Sequence, residues 1–193
     1  MTDADLAALC AASYGTPWAW SVADVHARRD GDVVAIPGTD PDCLADWLRD
    51  LDAVPVWRDG VGYCHRGFLD GALLVLPWLR GLPAPLTLAG HSMGGAIAIL
   101  AAALLRAADV PVAGVVTFGA PRAGGAVVKH LLADIPVRQF RHAGDPVPEV
   151  PCLPGVLEHV VALTEIGVAS LDPLADHAVG GYVAALAPVE VAA

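Results

Sequence analysis

The stretch Leu86-Thr87-Leu88-Ala89-Gly90-His91-Ser92-Met93-Gly94-Gly95, followed by the Ala/Leu run from Ala96 to Ala108, limits the folds open to this chain more than any other segment. An apolar strand meets a glycine, the chain turns over one serine, and two further glycines open a helix, which is the strand-turn-helix context of a nucleophile elbow. Glycines two residues either side of Ser92 have a steric reason. The turn brings strand and helix backbones so close that a side chain at Gly90 or Gly94 would collide, while Ser92 is held in a strained conformation that lifts its hydroxyl out of the packing. The hydroxyl then lies at a helix N-terminus, where backbone N–H groups can meet developing negative charge. With 20 glycines and 4 serines in 193 residues, a chance Gly-x-Ser-x-Gly arises about 0.04 times per chain, so the match carries information even before its context is counted.

At 193 residues the chain can bury a full core as one domain. Its 55% hydrophobic content suggests a membrane protein at first sight, yet the longest apolar run, Ala96 to Leu105, stops at Arg106, too short to cross a bilayer. Asp3 and Asp5 stand where a secretory leader needs basic residues and then an apolar run. No targeting segment is read, and the expected compartment is the cytoplasm, or the cell exterior if the sequence is a processed mature chain. A net charge of −10 without any basic run excludes nucleic acid as a partner by repulsion, and disfavours anionic lipid surfaces. Cys10, Cys43, Cys64 and Cys152 are widely spaced, with no Cys-x-x-Cys pair or Cys/His cluster. They imply no metal and read mostly as buried thiols, with a Cys43–Cys64 link as the one pairing to consider.

Taken in order, Thr2 to Tyr14 reads as a helix with Thr2 as N-cap and a packing role only. Val22–Arg28 and Asp32–Ile36 flank Asp30-Gly31, a strong hairpin signal. The second strand runs into Pro37-Gly38-Thr39-Asp40-Pro41, where Asp40 caps a short amphipathic helix with Leu44, Trp47, Leu48 and Leu51 on one face. That helix is either packed on the core or a mobile cover. Gly62 to Arg80 reads as a longer helix bent or ended at Pro77, with His65 as a structural residue. Val112–Phe118 is a continuous apolar run of the kind buried in central parallel strands. Ala123–Ala133 reads as a helix, Val137–His142 and Val156–Leu163 as strands, and Ala178–Ala187 as the terminal helix. Strand and helix alternate from residue 86 to 142, which predicts an α/β fold with a mostly parallel sheet, an N-terminal antiparallel hairpin and helices on both faces.

Ligands on such sheets bind beyond the carboxyl ends of the strands, which selects the loops after Ala89, Phe118 and His142. A serine hydroxyl needs an adjacent base, and the base needs an acid to fix its tautomer. In the order serine, acid, histidine, only His159 and His177 come late enough. His159 sits inside an expected apolar strand, whereas His177 lies in a loop before the final helix and is preferred. Asp145, at a strand end, is favoured over Asp134, Asp172 and Asp176. The Met93 N–H and the Gly38-Thr39 turn supply the two donors of an oxyanion hole.

These residues together resemble the class 3 (fungal-type triacylglycerol) lipase family of α/β-hydrolases. The likeness rests on Gly38-Thr39, Asp46 to Leu51, Cys64-His65-Arg66-Gly67-Phe68, Gly90 to Gly95, Thr117 to Arg122, Asp145-Pro146-Val147-Pro148, and His177 with Tyr182 nearby. It implies hydrolysis of a carboxylic ester, in a lipid or a smaller molecule, through an acyl-enzyme on Ser92, with Asp145 and His177 completing the triad and no cofactor. It implies that Thr39 and Met93 hold the oxyanion and that the helix at about 41–51, with Leu44, Trp47, Leu48 and Leu51, is a lid making transient contact with lipid. The chain departs from the family at Pro37, where an arginine is usual, and is shorter than most members. The open alternatives are a thioesterase or phospholipase with the same triad, or a catalytically silent binding protein.

Overall fold

The structure, a computed structural model, describes residues 1–39 and 54–188. The expected lid helix at 41–51, and with it Leu44, Trp47, Leu48, Leu51 and Cys43, lies outside the described residues.

Helix α1 (Asp3–Ala12) starts on a reciprocal capping box: the Asp5 N–H donates to Thr2 Oγ1 and the Thr2 N–H to the Asp5 carboxylate. It ends two residues short of the expected Tyr14. A short strand missed in the sequence, β1 (Trp20–Val22), pairs antiparallel with β2 (Val25–Asp30), and β2 with β3 (Val33–Ile36) around Gly31 at φ +59°.

The segment expected to open a long helix at Gly62 instead closes a separate hairpin, β4 (Pro55–Arg58) with β5 (Gly62–His65). Gly60 and Gly62 both take positive φ, and Trp57 packs edge-on against Tyr63 across the strands. Helix α2 therefore begins only at Arg66 and runs to Arg80, with Pro77 tolerated in its last turn rather than ending it. Next come β6 (Leu86–His91), α3 (Met93–Arg106), β7 (Val112–Phe118), α4 (Ala126–Leu131) and β8 (Val137–His142).

Val156–Leu163 does not form the expected strand; the last strand, β9, is Thr164–Ile166. Gln139 explains the difference, because its Oε1 accepts the N–H groups of Val160 and Val161 at 2.8 and 3.1 Å. Those donors are satisfied by a side chain before they can enter a ladder. The chain closes with a one-turn helix, α5 (Pro173–His177), and α6 (Val179–Leu186).

The main sheet runs β1-β2-β3-β6-β7-β8-β9, parallel from β3 onward, so the α/β-hydrolase expectation of a mostly parallel sheet entered by an antiparallel hairpin holds. Alternate residues of β3 divide two cores. Val34 and Ile36 join Leu88, Val115 and the α2–α3 layer on one face, while Val33 and Ala35 join Ala89, Val116 and Phe140 beneath α1 and α6. Helix α3 is buried almost all round, which explains its unbroken Ala/Leu/Ile composition. No helix among the described residues is long and apolar enough to cross a membrane.

Cys10 and Cys64 are buried free thiols, whereas Cys152 is exposed. Burial pushes the Cys64 thiol up to about 11.

Leu88 is fully buried in the central strand, so Leu88→Ala is expected to cost about 2–5 kcal/mol by lost transfer energy plus cavity. The midpoint of urea denaturation, at unchanged m-value, measures it.

Candidate active site

Ser92 connects β6 to α3 with φ +55° and ψ −131°, a conformation strained for a non-glycine residue. Its neighbours enforce it. A methyl group on Gly90 would overlap the Gly94 carbonyl, and one on Gly94 would overlap the carbonyls of Ile36 and Pro37. Strand, helix and the turn after β3 thus meet with no room for side chains. The Ser92 N–H donates to the Phe118 carbonyl at 2.9 Å, which ties the turn to β7.

Asp145 lies past the end of β8, after Gly144 at φ +90°, and is completely buried. Both of its carboxylate oxygens accept hydrogen bonds. Oδ1 accepts the Val147 N–H at 2.8 Å, while Oδ2 accepts His177 Nδ1–H at 2.8 Å and the Tyr182 hydroxyl at 2.5 Å. Tyr182 in turn accepts the His142 N–H at 3.0 Å. Burial first, and then the Asp145 charge, push the Tyr182 hydroxyl far above its ordinary value, so it remains a donor.

His177 ends α5 rather than lying in a loop, because Asp172 caps that helix by accepting the Leu174 and Ala175 N–H groups and Pro173 starts it. Its Nε2 makes no hydrogen bond to another described residue, and neither does Ser92 Oγ, though both are buried. The two residues line one cavity of about 910 Å³ together with Gly38, Thr39 and Met93. The acid–imidazole pair is therefore formed, and the hydroxyl shares its cavity without being bonded to the ring. Such bonds are often loose until substrate is present.

Gly119 explains a glycine that the sequence reading left without a role. At φ +62°, a Cβ there would stand 2.7 Å from Asp145 Oδ2, 2.9 Å from the Tyr182 hydroxyl and 3.1 Å from His177 Cε1. Thr39 Oγ1 points a hydrogen bond at Met93 Sδ, 3.7 Å away, which brings the two expected oxyanion residues side by side.

The competing candidates are engaged elsewhere. His159 Nε2 donates to the Pro148 carbonyl at 2.8 Å, and Asp134 pairs with Arg106 at 2.6 Å. Asp172 caps α5, and Asp176 accepts the Ser170 N–H. Among the described residues no group of three or more His, Cys, Asp or Glu stands close enough to hold a metal ion.

Sequence reasoning missed two members of this neighbourhood. His91, one residue before Ser92, is buried with Nε2 2.8 Å from the His177 carbonyl and Nδ1 2.6 Å from the Tyr14 hydroxyl. Tyr14 also accepts the Gly38 N–H at 3.0 Å. The segment that follows α1 therefore reaches the site, contrary to the expected packing role. The only signal was a histidine and a tyrosine, 77 positions apart.

Desolvation, and then the His177 imidazole, hold the His91 ring well below the ordinary histidine value. Among the described residues its neighbours with titratable groups are Tyr14, His177 and Tyr182, with Asp145 behind the last two. A depressed histidine leaves the folded state unprotonated where the unfolded chain binds a proton. Its contribution to stability is complete above pH about 6.5 and is lost as the pH falls below that value, by up to about 1.4 kcal/mol per unit. His91→Gln should remove this part of the slope, read as the difference between wild-type and variant unfolding free energies from pH 7 to 5. Tyr182→Phe should cost about 1.5–3 kcal/mol at pH 7, because a buried carboxylate loses a donor.

The family described as Lipase (class 3) matches residues 33–154. Secreted mono- and diacylglycerol lipase A of Penicillium cyclopium is 40% identical over 76 residues, which are 39% of this chain and 25% of that protein. The matched stretch thus spans a quarter of the curated relative's length. Among solved structures, the triacylglyceride lipase of Rhizomucor miehei superimposes with TM-score 0.59 at 27% identity, covering 77% of this chain and 64% of that one. The MDLA protein of Penicillium cyclopium, in mutant form, gives TM-score 0.66 at 22% identity over 88% and 78% of the two chains.

Proposed function

The chain belongs to the class 3 lipase family, and from that membership we propose that it is a serine hydrolase cleaving carboxylic esters, acylglycerols or similar lipid esters, through an acyl-enzyme on Ser92. The observation that carries the reading is the 2.8 Å bond from His177 Nδ1–H to the buried Asp145 carboxylate, with the other ring nitrogen left for the cavity that Ser92 lines.

In the proposed cycle His177 Nε2 takes the proton from Ser92 Oγ as that oxygen attacks the ester carbonyl carbon. Asp145 holds the tautomer and stabilises the imidazolium. The carbonyl oxygen, now negative, is met by the Met93 N–H and by Thr39, helped by the N-terminus of α3. Collapse expels the alkoxide, which takes the proton from Nε2 and leaves as the alcohol. A water then gives its proton to Nε2, attacks the acyl carbon and releases the acid, with the proton returned to Ser92. Tyr182 donates to the same carboxylate oxygen as His177 and helps hold the acid in place. One hydrolase domain carries every residue of this scheme.

The curated relatives are secreted proteins by name, and the expectation of a cytoplasmic protein finds no support among them. The mono- and diacylglycerol named for the Penicillium enzyme supports an acylglycerol substrate here.

The test is hydrolysis of a p-nitrophenyl ester series of increasing acyl length, with intact-mass detection of a phosphonate adduct. Wild type should turn over and gain one adduct; Ser92→Ala should lose both. Asp145→Asn should keep the fold and lose about 10⁴-fold in kcat through the wrong tautomer. A folded wild type with neither turnover nor adduct overturns the reading in favour of a silent binding protein.

A further inference from the structure

With the His91 ring neutral, the hydrogen bonds around it have one consistent direction. A carbonyl oxygen can only accept, so the 2.8 Å contact between His91 Nε2 and the His177 carbonyl requires a proton on Nε2. A ring buried among apolar and aromatic neighbours, with Nε2 protonated, is neutral only if Nδ1 carries a lone pair. The 2.6 Å contact to Tyr14 is then a bond from the Tyr14 hydroxyl to Nδ1, and the phenol oxygen is left to accept the Gly38 N–H at 3.0 Å. From donor to acceptor, the chain runs from the Gly38 N–H through the Tyr14 O–H and the His91 Nε2–H to the accepting His177 carbonyl.

Each end of this chain is a part of the site. Gly38 presses on the nucleophile: a Cβ there would lie 2.6 Å from Ser92 Cβ and 2.7 Å from the Tyr14 hydroxyl. It also immediately precedes Thr39. At the other end, the accepting carbonyl belongs to the residue whose ring is bonded to Asp145.

We propose that Tyr14 and His91 form a one-way hydrogen-bond relay that holds the Gly38-Thr39 turn and the His177 main chain in fixed registry about Ser92, so that both act as positioning residues for ester hydrolysis. This rests on the hydrolase reading above for its chemistry, although the relay's direction does not. Protonating His91 converts Nδ1 from acceptor to donor and turns it against the Tyr14 hydroxyl proton, which breaks the relay's direction at that bond. Burial and the neighbouring His177 ring oppose that protonation. The relay therefore sets the Thr39 side of the oxyanion hole before substrate arrives, which is where preorganisation lowers a barrier.

Two measurements test it. Histidine ¹⁵N shifts in the uniformly labelled wild-type protein, with His91 assigned by the peak missing from His91→Gln, should show a neutral ring protonated at Nε2 from pH 6 to 8. A ring protonated at Nδ1, or an imidazolium at pH 7, overturns the relay whatever the enzyme's activity. Tyr14→Phe should lower kcat on p-nitrophenyl butyrate about 10- to 100-fold with KM changed less than about twofold. It should slow phosphonate labelling of Ser92 in proportion. A kcat within about twofold of wild type overturns the positioning role. Should Tyr14→Phe fail to fold, the tautomer measurement on wild type still decides the relay's direction. Wild type without turnover or adduct strikes at the hydrolase reading, and the ¹⁵N result then judges the relay separately.

Discussion

The close approach of three backbone segments at Gly90, Gly94 and Ile36–Pro37 is the constraint from which the rest of the site is built. Because a methyl group fits at neither glycine, β6 can pass into α3 only through a single residue at positive φ, and that residue is Ser92. Its strain of about 1–3 kcal/mol is borne by the surroundings. The parallel pairing of β3, β6 and β7 fixes the strand, and the nearly all-buried α3 fixes the helix. The same crowding sets Gly38 against Ser92, so the turn after β3 cannot move without disturbing the serine.

Around this point the protein pairs its buried acid and one of its two histidines, while Ser92 Oγ and His177 Nε2 keep no partner among the described residues. A carboxylate buried as fully as Asp145 would be costly if unmatched. It receives donors from a backbone N–H, an imidazole and a phenol, each from a different part of the chain. His91 is treated the other way, held neutral and bonded at both nitrogens. The two histidines at the site thus have opposite assignments: one ring has a nitrogen committed to an acid and another left toward the cavity, and the other has both committed to structure.

Much of this is legible in the sequence because several motifs carry local steric or chemical reasons. The Asp30-Gly31 hairpin, the Thr2 cap, the buried strand Val112–Phe118 and the strand-end acid Asp145 each depend on a few adjacent residues. The errors share a different cause. Gly62–His65 went to a hairpin because of its partner strand, and Val156–Leu163 was denied a ladder because the side chain of Gln139, some twenty residues earlier, took its donors. Local pattern contains neither partner.

The amino-acid sequence by itself determined the elbow, the α/β alternation, and Ser92, Asp145 and His177 as candidates, since glycine spacing, apolar runs and strand-end position act over short stretches of chain. Only the tertiary structure decided that Tyr14 reaches Gly38 and His91, that Tyr182 shares Oδ2 of Asp145 with His177, and that Gly119 must lack a side chain to let them meet. Hydrogen bonds over such separations in sequence depend on where the sheet delivers each strand end, and that is a property of the whole fold.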